Sequence, residues 1–242
     1  MQIAARDQLI VALDVPELDQ ARQLVEGLGD AVSFYKVGME LVYGHGFGFV
    51  KELTSAGKKV FLDLKLHDIP NTVQKATEQL AHLGVTFLTV HAYPQTMQAA
   101  KTGSRGSSLQ ILGVTVMTSY DDQDLQAAGY DKPVREVVRI RAEAARAIGI
   151  DGLILSPEEV AAMRALVGND LLLVTPGIRP SNSEANDQKR FMTPKDAILA
   201  GANHLVVGRP VTKASNPRAA ALSIIQEIHS AKQAYLSSGA TS

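Results

Sequence analysis

Eight short apolar segments rich in β-branched residues recur along the chain, and a stretch with helical periodicity follows each one. The predicted strands are Leu9–Leu13, Ser33–Val37, Lys59–Leu64, Val85–Val90, Gln110–Val116, Gly152–Leu155, Leu171–Thr175 and His204–Val207. The predicted helices are Glu17–Leu28, Gly48–Ser55, Thr72–Leu83, Gln95–Thr102, Val134–Ile148, Pro157–Leu166, Pro194–Ala200 and roughly Pro217–Leu236. Strand-helix units of about 30 residues account for the whole length. We therefore predict an α/β fold, a single-domain (β/α)8 (TIM) barrel over residues 1–242, with an open doubly wound sheet as the alternative.

Composition narrows the class of protein. Apolar residues make up 45% of the chain and charged residues 20%, which is ordinary for a globular protein with a sizeable core. Lysine and arginine total 24 against 25 acidic residues, so no basic field favours nucleic acid or an anionic membrane. The chain has no cysteine, which excludes disulfides, thiolate metal sites and cysteine nucleophiles. No signal-peptide pattern or apolar run of membrane-spanning length is present, so we expect a cytoplasmic protein.

One long polar segment, Gly177–Met192, follows the seventh predicted strand. Irregular segments of this length in a compact domain are usually binding loops, and barrels often bind phosphate after strands seven and eight. We therefore predict a phosphate-binding loop at about residues 177–192. The glycine-rich run Gly44–Phe49 has neither nucleotide-binding spacing and is interpreted as a flexible connection.

The densest group of charges in an apolar setting lies in the third strand, in VFLDLKLHDIP. Strand alternation places Phe61, Asp63 and Lys65 on one face, which is the interior of a barrel. Burying a carboxylate and an ammonium is costly unless the two groups pair. A structural ion pair is one interpretation; an active site at the carboxyl end of the strand is the other.

Polar residues also end several other predicted strands, and a ring of such residues is typical of a barrel active site. At or just beyond the strand ends lie Asp14, His91, Thr118, Ser119, Gly208 and Arg209, and the second strand contains Lys36. Two lysines among several aspartates form an alternating network, in which neighbouring carboxylates keep a desolvated lysine protonated. Such an ammonium can protonate a carbanion.

Several of these residues have alternative interpretations. His91 is a possible metal ligand, although the other histidines do not end strands, and His67 and His204 are interpreted as structural. Thr118 and Ser119 fit either substrate contact or the N-cap of a helix over residues 121–128. Arg209 follows a glycine that permits close approach and has the planar fork that binds phosphate; the alternative is a surface arginine.

The segment DLKLHDIPNT resembles the signature of the orotidine 5′-phosphate decarboxylase family. The resemblance continues in order through nearly the whole chain. Its other motifs are VALD at Val11–Asp14, YKVG at Tyr35–Gly38, VTVMTS at Val114–Ser119, VTPGIRP at Val174–Pro180, DQKRFMTP at Asp187–Pro194 and VVGRPVT at Val206–Thr212. The aspartate-x-lysine element is shared by related barrel enzymes, whereas DIPNT together with GIRP, DQ and GRP is specific.

The resemblance implies cofactor-independent decarboxylation of orotidine 5′-phosphate to UMP and CO2 in pyrimidine synthesis, without a metal. It implies that Lys65 protonates the ring carbon that loses its carboxylate. The implied charged tetrad is Lys36, Asp63, Lys65 and Asp68. The implied substrate-binding residues are Asp14 and Lys36 at the ribose, Thr72 near ribose or phosphate, Thr118 and Ser119 at the pyrimidine, and Arg179, Gln188, Gly208 and Arg209 at the phosphate.

The resemblance also implies a homodimer, in which Asp68 and Thr72 complete the partner's site. One departure follows His91, where the family tends to have small residues and this chain has Tyr93, Pro94 and Gln95, which predicts a stiffer loop. Two other functions remain open: a related sugar-phosphate decarboxylase or aldolase that needs Mg²⁺, and a non-catalytic nucleotide-binding or scaffold protein.

Overall fold

Eight parallel strands form a closed barrel in a computed structural model of the chain, which describes residues 3–180 and 192–237, with side chains as far as residue 234. The strands are β1 (Leu9–Ala12), β2 (Phe34–Gly38), β3 (Lys59–Leu66), β4 (Phe87–His91), β5 (Gln110–Val114), β6 (Gly152–Ile154), β7 (Leu172–Thr175) and β8 (His204–Val207). Consecutive strands pair, and β1 also pairs with β8 through Leu9↔Leu205 and Val11↔Val207. This last pairing closes the sheet, so the predicted barrel is confirmed and the open sheet was wrong.

Twelve α-helices lie within the described residues, and a 3₁₀ turn at Pro157–Glu159 precedes the ninth. They are α1 (Ala5–Gln8), α2 (Leu18–Leu28), α3 (Met39–His45), α4 (Gly48–Ser55), α5 (Pro70–Ala81), α6 (Pro94–Gly103), α7 (Asp122–Ala127), α8 (Val134–Ile148), α9 (Val160–Val167), α10 (Pro194–Leu199), α11 (Arg209–Thr212) and α12 (Pro217–Ser237). Every predicted strand and helix is confirmed in position. In this part of the chain no helix is both long and apolar enough to span a bilayer.

The helices pack on the barrel through apolar stripes, as α8 illustrates. Val134, Val138, Ala142 and Ala145 recur at helical spacing and are buried, whereas Arg139 lies on the solvent side. Burial of such a stripe supplies most of the stability of a helix that would be marginal alone.

A second apolar layer fills the barrel interior. Phe34, Phe61 and Phe87 form its aromatic centre, with ring centroids 5.1 Å apart for Phe34–Phe87 and 6.0 Å apart for Phe61–Phe87. The imidazole of His204 meets the rings of Phe34 and Phe87 edge-on, so the structural interpretation of this residue holds. Because these side chains fill the lower interior, the open space lies at the carboxyl ends of the strands.

The connections near the barrel mouth differ from prediction in two places. The run Gly44–Phe49 is not simply a flexible connection, because α3 extends to His45 and α4 begins at Gly48. The cap of α7 is Asp121, whose carboxylate accepts the backbone N–H of Gln123 and of Asp124. The interpretation of Thr118 or Ser119 as this cap was therefore wrong.

Candidate active site

A line of alternating charges crosses the carboxyl ends of β1, β2 and β3. The Lys36 ammonium lies 2.7 Å from the Asp14 carboxylate and 3.5 Å from that of Asp63. The Lys65 ammonium lies 2.8 Å from the other oxygen of Asp63. Asp63 therefore stands between two ammonium groups, and each buried charge has an opposite charge beside it.

Burial increases from one end of this line toward its centre. The Asp14 side chain is 58% exposed, whereas those of Lys36, Asp63 and Lys65 are 11%, 14% and 22% exposed. Charges that are mostly removed from water interact more strongly than surface pairs, so the arrangement holds these three side chains in place. The exposed Asp14 end leaves a carboxylate available to a polar ligand.

The pKa values of the two central groups favour their charged forms. Burial, the largest influence, raises the pKa of Asp63, but Lys36, Lys65 and a hydrogen bond from Thr89 outweigh it, and the pKa lies below its ordinary value. Burial lowers the pKa of Lys36, and the carboxylates of Asp63 and Asp14 outweigh it, so this pKa is raised. At neutral pH the centre of the line is a carboxylate paired with an ammonium.

The backbone reaches this arrangement through an irregularity in β3. The β3–β4 register runs Leu62↔Leu88 and then Leu66↔Val90, so three residues of β3 lie opposite the single residue Thr89. Lys65 has φ of +49°, which side-chain-bearing residues rarely adopt. Asp63 and Lys65 do lie on the same face, as strand alternation predicts. The backbone between them is nevertheless not that of a regular strand.

A cavity of about 500 Å³ opens above this line of charges. The apolar residues Phe61, Val114, Ile154 and Val206 belong to the interior layer and form its floor. The predicted site residues that line it are Asp14, Lys36, Asp63, Lys65, Thr118, Gly208 and Arg209. Gly177 and Ile178 of the predicted phosphate-binding loop also line it. Its remaining lining residues were not predicted as site residues: they are Ala12, Met117, Pro176, Pro210, Thr212 and Lys213.

Other predicted site residues lie away from this cavity. Ser119 is exposed and does not line it, although its neighbour Thr118 does. Arg179 is buried without lining it, and its Nε atom has no hydrogen-bond partner among the described residues. Gln188 and most of the predicted loop lie outside the described residues.

Asp68 and Thr72 are also exposed and lie outside the cavity of their own chain. One carboxylate oxygen of Asp68 accepts the backbone N–H of Ile69 at 2.6 Å. The tetrad implied by the resemblance is therefore present in this chain as Lys36, Asp63 and Lys65, without a described contact to Asp68.

Tyr93, where this chain departs from the family pattern, belongs to a cluster with His67, Tyr130 and Arg141. The Tyr93 ring stacks on that of His67, with the ring centroids 4.5 Å apart. The Arg141 guanidinium also lies 4.5 Å from the centre of the Tyr93 ring. The Tyr93 hydroxyl is 2.6 Å from that of Tyr130. His67 therefore has a structural role, and the loop after β4 is tied to its neighbours.

His91 ends β4 next to this cluster, with its ring 5.6 Å from that of His67. Burial lowers the pKa of His91, and the nearby charges of His67 and Arg141 lower it further. Across residues 3–180 and 192–237, no three histidine, aspartate or glutamate side chains converge as a metal site would require.

The chain matches a known family over a region that contains all of the cavity-lining residues. The model of the orotidine 5′-phosphate decarboxylase / HUMPS family matches residues 7–224. The chain belongs to this family.

Relatives within the orotidine 5′-phosphate decarboxylase / HUMPS family resemble the chain along nearly its whole length. An orotidine 5′-phosphate decarboxylase from Bradyrhizobium sp. strain BTAi1 is 60% identical over 230 residues, which are 95% of each chain. One from Rhodopseudomonas palustris strain BisB5 is 60% identical over 225 residues, 93% of this chain and 96% of the relative. The crystal structure of the Lactobacillus acidophilus orotidine 5′-phosphate decarboxylase superposes with a TM-score of 0.82 at 43% identity, covering 91% of this chain and 98% of that one. The resemblance inferred from the sequence motifs is confirmed.

Proposed function

We propose that the chain decarboxylates orotidine 5′-phosphate to UMP and CO2, as a step in pyrimidine nucleotide synthesis. The observation that carries this proposal is the Asp63 carboxylate held between the Lys36 and Lys65 ammonium groups, 3.5 Å and 2.8 Å away, beneath the cavity. Family membership and the names of the relatives support the same activity.

The chemistry needs a positive charge and a proton at one point. When the carbon–carboxylate bond breaks, CO2 leaves and the electron pair stays on a ring carbon, in the plane of the ring, where it is poorly delocalised. The Lys65 ammonium stabilises this pair and then transfers a proton to the carbon. The resulting amine regains its proton from solvent, so atoms and charge balance over a turnover.

The neighbours of Lys65 hold its ammonium group in position. Asp63 faces the carboxylate that leaves and holds the Lys65 ammonium at 2.8 Å. Lys36 balances the other oxygen of Asp63, so the carboxylate stays ionised despite burial. The charges are already in place before reaction, which lowers the cost of reorganisation in the transition state.

The rest of the substrate is proposed to lie along the cavity. Asp14 and Lys36 contact the ribose, Thr118 and Ser119 the pyrimidine, and Gly208 and Arg209 the phosphate, because the resemblance implies these roles. All of these except Ser119 line the cavity. Arg179 and Gln188 are assigned to the phosphate end on the resemblance alone.

The segment 177–192 is proposed as the phosphate-binding loop. The backbone N–H of Arg179 donates to the Met192 carbonyl at 3.0 Å, and that of Met192 donates to the Gly177 carbonyl at 3.3 Å. Both ends of the segment are therefore anchored beside the cavity, which Gly177 and Ile178 line.

The protein is proposed to act as a cytoplasmic homodimer in which Asp68 and Thr72 complete the partner's site. The exposed position of both residues supports this arrangement. Two large exposed apolar side chains support it too: Tyr43 on α3 is 74% exposed, and Ile69, next to Asp68, is 67% exposed. Sedimentation that finds only monomer under active conditions would contradict the dimer.

The activity is tested by following the absorbance of orotidine 5′-phosphate after adding purified protein, with and without EDTA. We expect turnover to UMP and CO2 that EDTA does not change. Absence of turnover would refute the proposal. Activity that EDTA abolishes would favour a Mg²⁺-dependent enzyme of the same barrel group.

A further inference from the structure

Thr89 is a fully buried threonine in the middle of β4, with 0% of its surface exposed. Its hydroxyl donates a hydrogen bond to the Asp63 carboxylate at 2.8 Å. The same hydroxyl oxygen accepts the backbone N–H of Lys65 at 3.0 Å. One side chain, from a different strand, therefore contacts both members of the central ion pair.

This contact coincides with the irregularity in β3. Thr89 is the β4 residue opposite the extra residues of β3, where the regular strand register is interrupted. Lys65 is the residue with φ of +49°, and its backbone N–H donates to the Thr89 side chain instead of to a strand carbonyl. An unusual backbone conformation persists only where surrounding contacts determine it, and the Thr89 hydroxyl is such a contact.

We infer that Thr89 is a positioning residue for the proposed decarboxylation, because its hydroxyl fixes the Asp63 carboxylate and the Lys65 backbone relative to each other. The inference rests on the proposed function and assigns a role to a residue outside the cavity lining. Thr89 touches no substrate. It acts through the carboxylate and through the residue that donates the proton.

The two hydrogen bonds run in opposite directions, which makes the hydroxyl hard to replace. It must accept from an N–H and donate to a carboxylate at the same time, and serine retains both functions. Valine has the shape of threonine and supplies neither bond, which leaves the Lys65 N–H without its acceptor. The pair T89S and T89V therefore separates the hydroxyl from the packing.

The experiment compares T89V and T89S with a matched control, T77V. Thr77 is also 0% exposed, and its hydroxyl donates at 2.8 Å, but to the Val73 carbonyl of its own helix. Steady-state kinetics across pH give kcat and KM, and calorimetry with UMP measures nucleotide affinity. Circular dichroism checks that each variant is folded, and T89A replaces T89V if the latter does not fold.

In T89V we expect kcat to fall about 100-fold, the scale expected when reacting groups are misplaced by about 1 Å, while KM and UMP affinity change less than about threefold. Because Asp63 loses a donor to its ionised form, the acidic limb of the pH profile should also move to higher pH. T89S should stay within about threefold of the unmodified enzyme, and T77V should show neither effect.

A folded T89V with unchanged kcat and an unchanged acidic limb would overturn the inference. Equal losses in T89V and T77V would also overturn it, since both variants lose one buried hydroxyl. If the unmodified protein does not turn over orotidine 5′-phosphate, the proposed function fails instead, so the two failures are distinguishable.

Discussion

At the scale of the residue, the side chain with the most direct proposed role is Lys65. Replacing it with methionine keeps much of its shape but removes the proton and the positive charge. General acids contribute about 10²–10⁴-fold to rate, and this lysine also supplies the electrostatic stabilisation, so we expect kcat to fall by at least about 10³-fold in K65M. Steady-state turnover of orotidine 5′-phosphate measures the loss.

The control for this substitution is K51M, which removes an exposed lysine on α4 that is outside the cavity. K51M should retain the activity of the unmodified protein. Binding of UMP to K65M, followed by calorimetry, should persist, because the phosphate end of the cavity is untouched. A K65M variant with near-normal kcat would show that Lys65 is not the proton donor.

A second residue, His204, makes folding sensitive to acid. Burial in the barrel interior lowers its pKa to about 4, against an ordinary value of 6.5, although its Nδ1 donates to the Asp7 carbonyl at 2.9 Å. The neutral form is favoured in the folded state. Its contribution is therefore complete above pH 6.5 and is lost as pH falls toward 4, at up to about 1.4 kcal/mol per pH unit and roughly 3 kcal/mol in all.

Urea unfolding at several pH values between 7 and 4 measures this loss. The variant H204N retains an N–H that can donate to the Asp7 carbonyl, but it does not titrate. We expect the free energy of unfolding of H204N to fall less steeply with decreasing pH than that of the unmodified chain. Parallel pH dependences for the two proteins would show that His204 is not the source.

At the scale of the element, the connections after β3, β4 and β5 are tied together by Arg141 of α8. Its guanidinium lies 4.5 Å from the centre of the Tyr93 ring and donates to the Tyr130 hydroxyl at 2.8 Å. A second nitrogen donates to the Thr115 carbonyl, just beyond β5. Since Tyr93 stacks on His67, the residue before Asp68, one arginine supports three parts of the barrel mouth.

We expect R141M to lower the free energy of unfolding by about 2–3 kcal/mol, because it removes charged hydrogen bonds and a partly buried cation–π contact together. The comparison is R139M on the solvent side of the same helix, where Arg139 pairs with Glu136 and Glu143. Exposed ion pairs contribute little to stability, so the free energy of unfolding should fall much less in R139M than in R141M. Denaturant unfolding of both variants decides the matter, and equal losses would contradict a specific role for Arg141.

The elements also show what sequence reasoning can reach. Eight strands and their helices follow from local periodicity, so their positions were predictable from short windows. The backbone of Lys65 was not, because it depends on Thr89, which is 24 residues away on another strand. The sequence shows that Tyr93 departs from the family pattern, but its contact with Arg141 follows only from the folded chain.

The same limit applies to the cavity. Strand-end residues such as Asp14, Lys36 and Arg209 were predictable, since the carboxyl ends of parallel strands meet at one face. Met117 and Lys213 line the same cavity, but they lie on connections whose course depends on tertiary packing. Asp68 was assigned by resemblance, and in this chain its carboxylate binds its own loop.

At the scale of the whole molecule, Asp68 leads to a prediction about assembly. If it completes the partner's site, K65A and D68A each inactivate a homodimer, but by removing different parts of a site. In a mixed dimer one site then receives both substitutions and the other receives neither. When equal amounts of the two variants exchange subunits at random, about half of the dimers are mixed. Each mixed dimer has one intact site, so about a quarter of all sites should be intact.

The measurement mixes the two purified variants, allows subunit exchange at low concentration, and follows turnover of orotidine 5′-phosphate over time. We expect activity to rise from near zero toward about a quarter of that of the unmodified enzyme. If Asp68 served its own chain, each mixed dimer would carry one site lacking Lys65 and one lacking Asp68, and no activity would return. Mixing K65A with K36A is the matched control: both residues lie in one chain's cavity, so exchange should restore nothing.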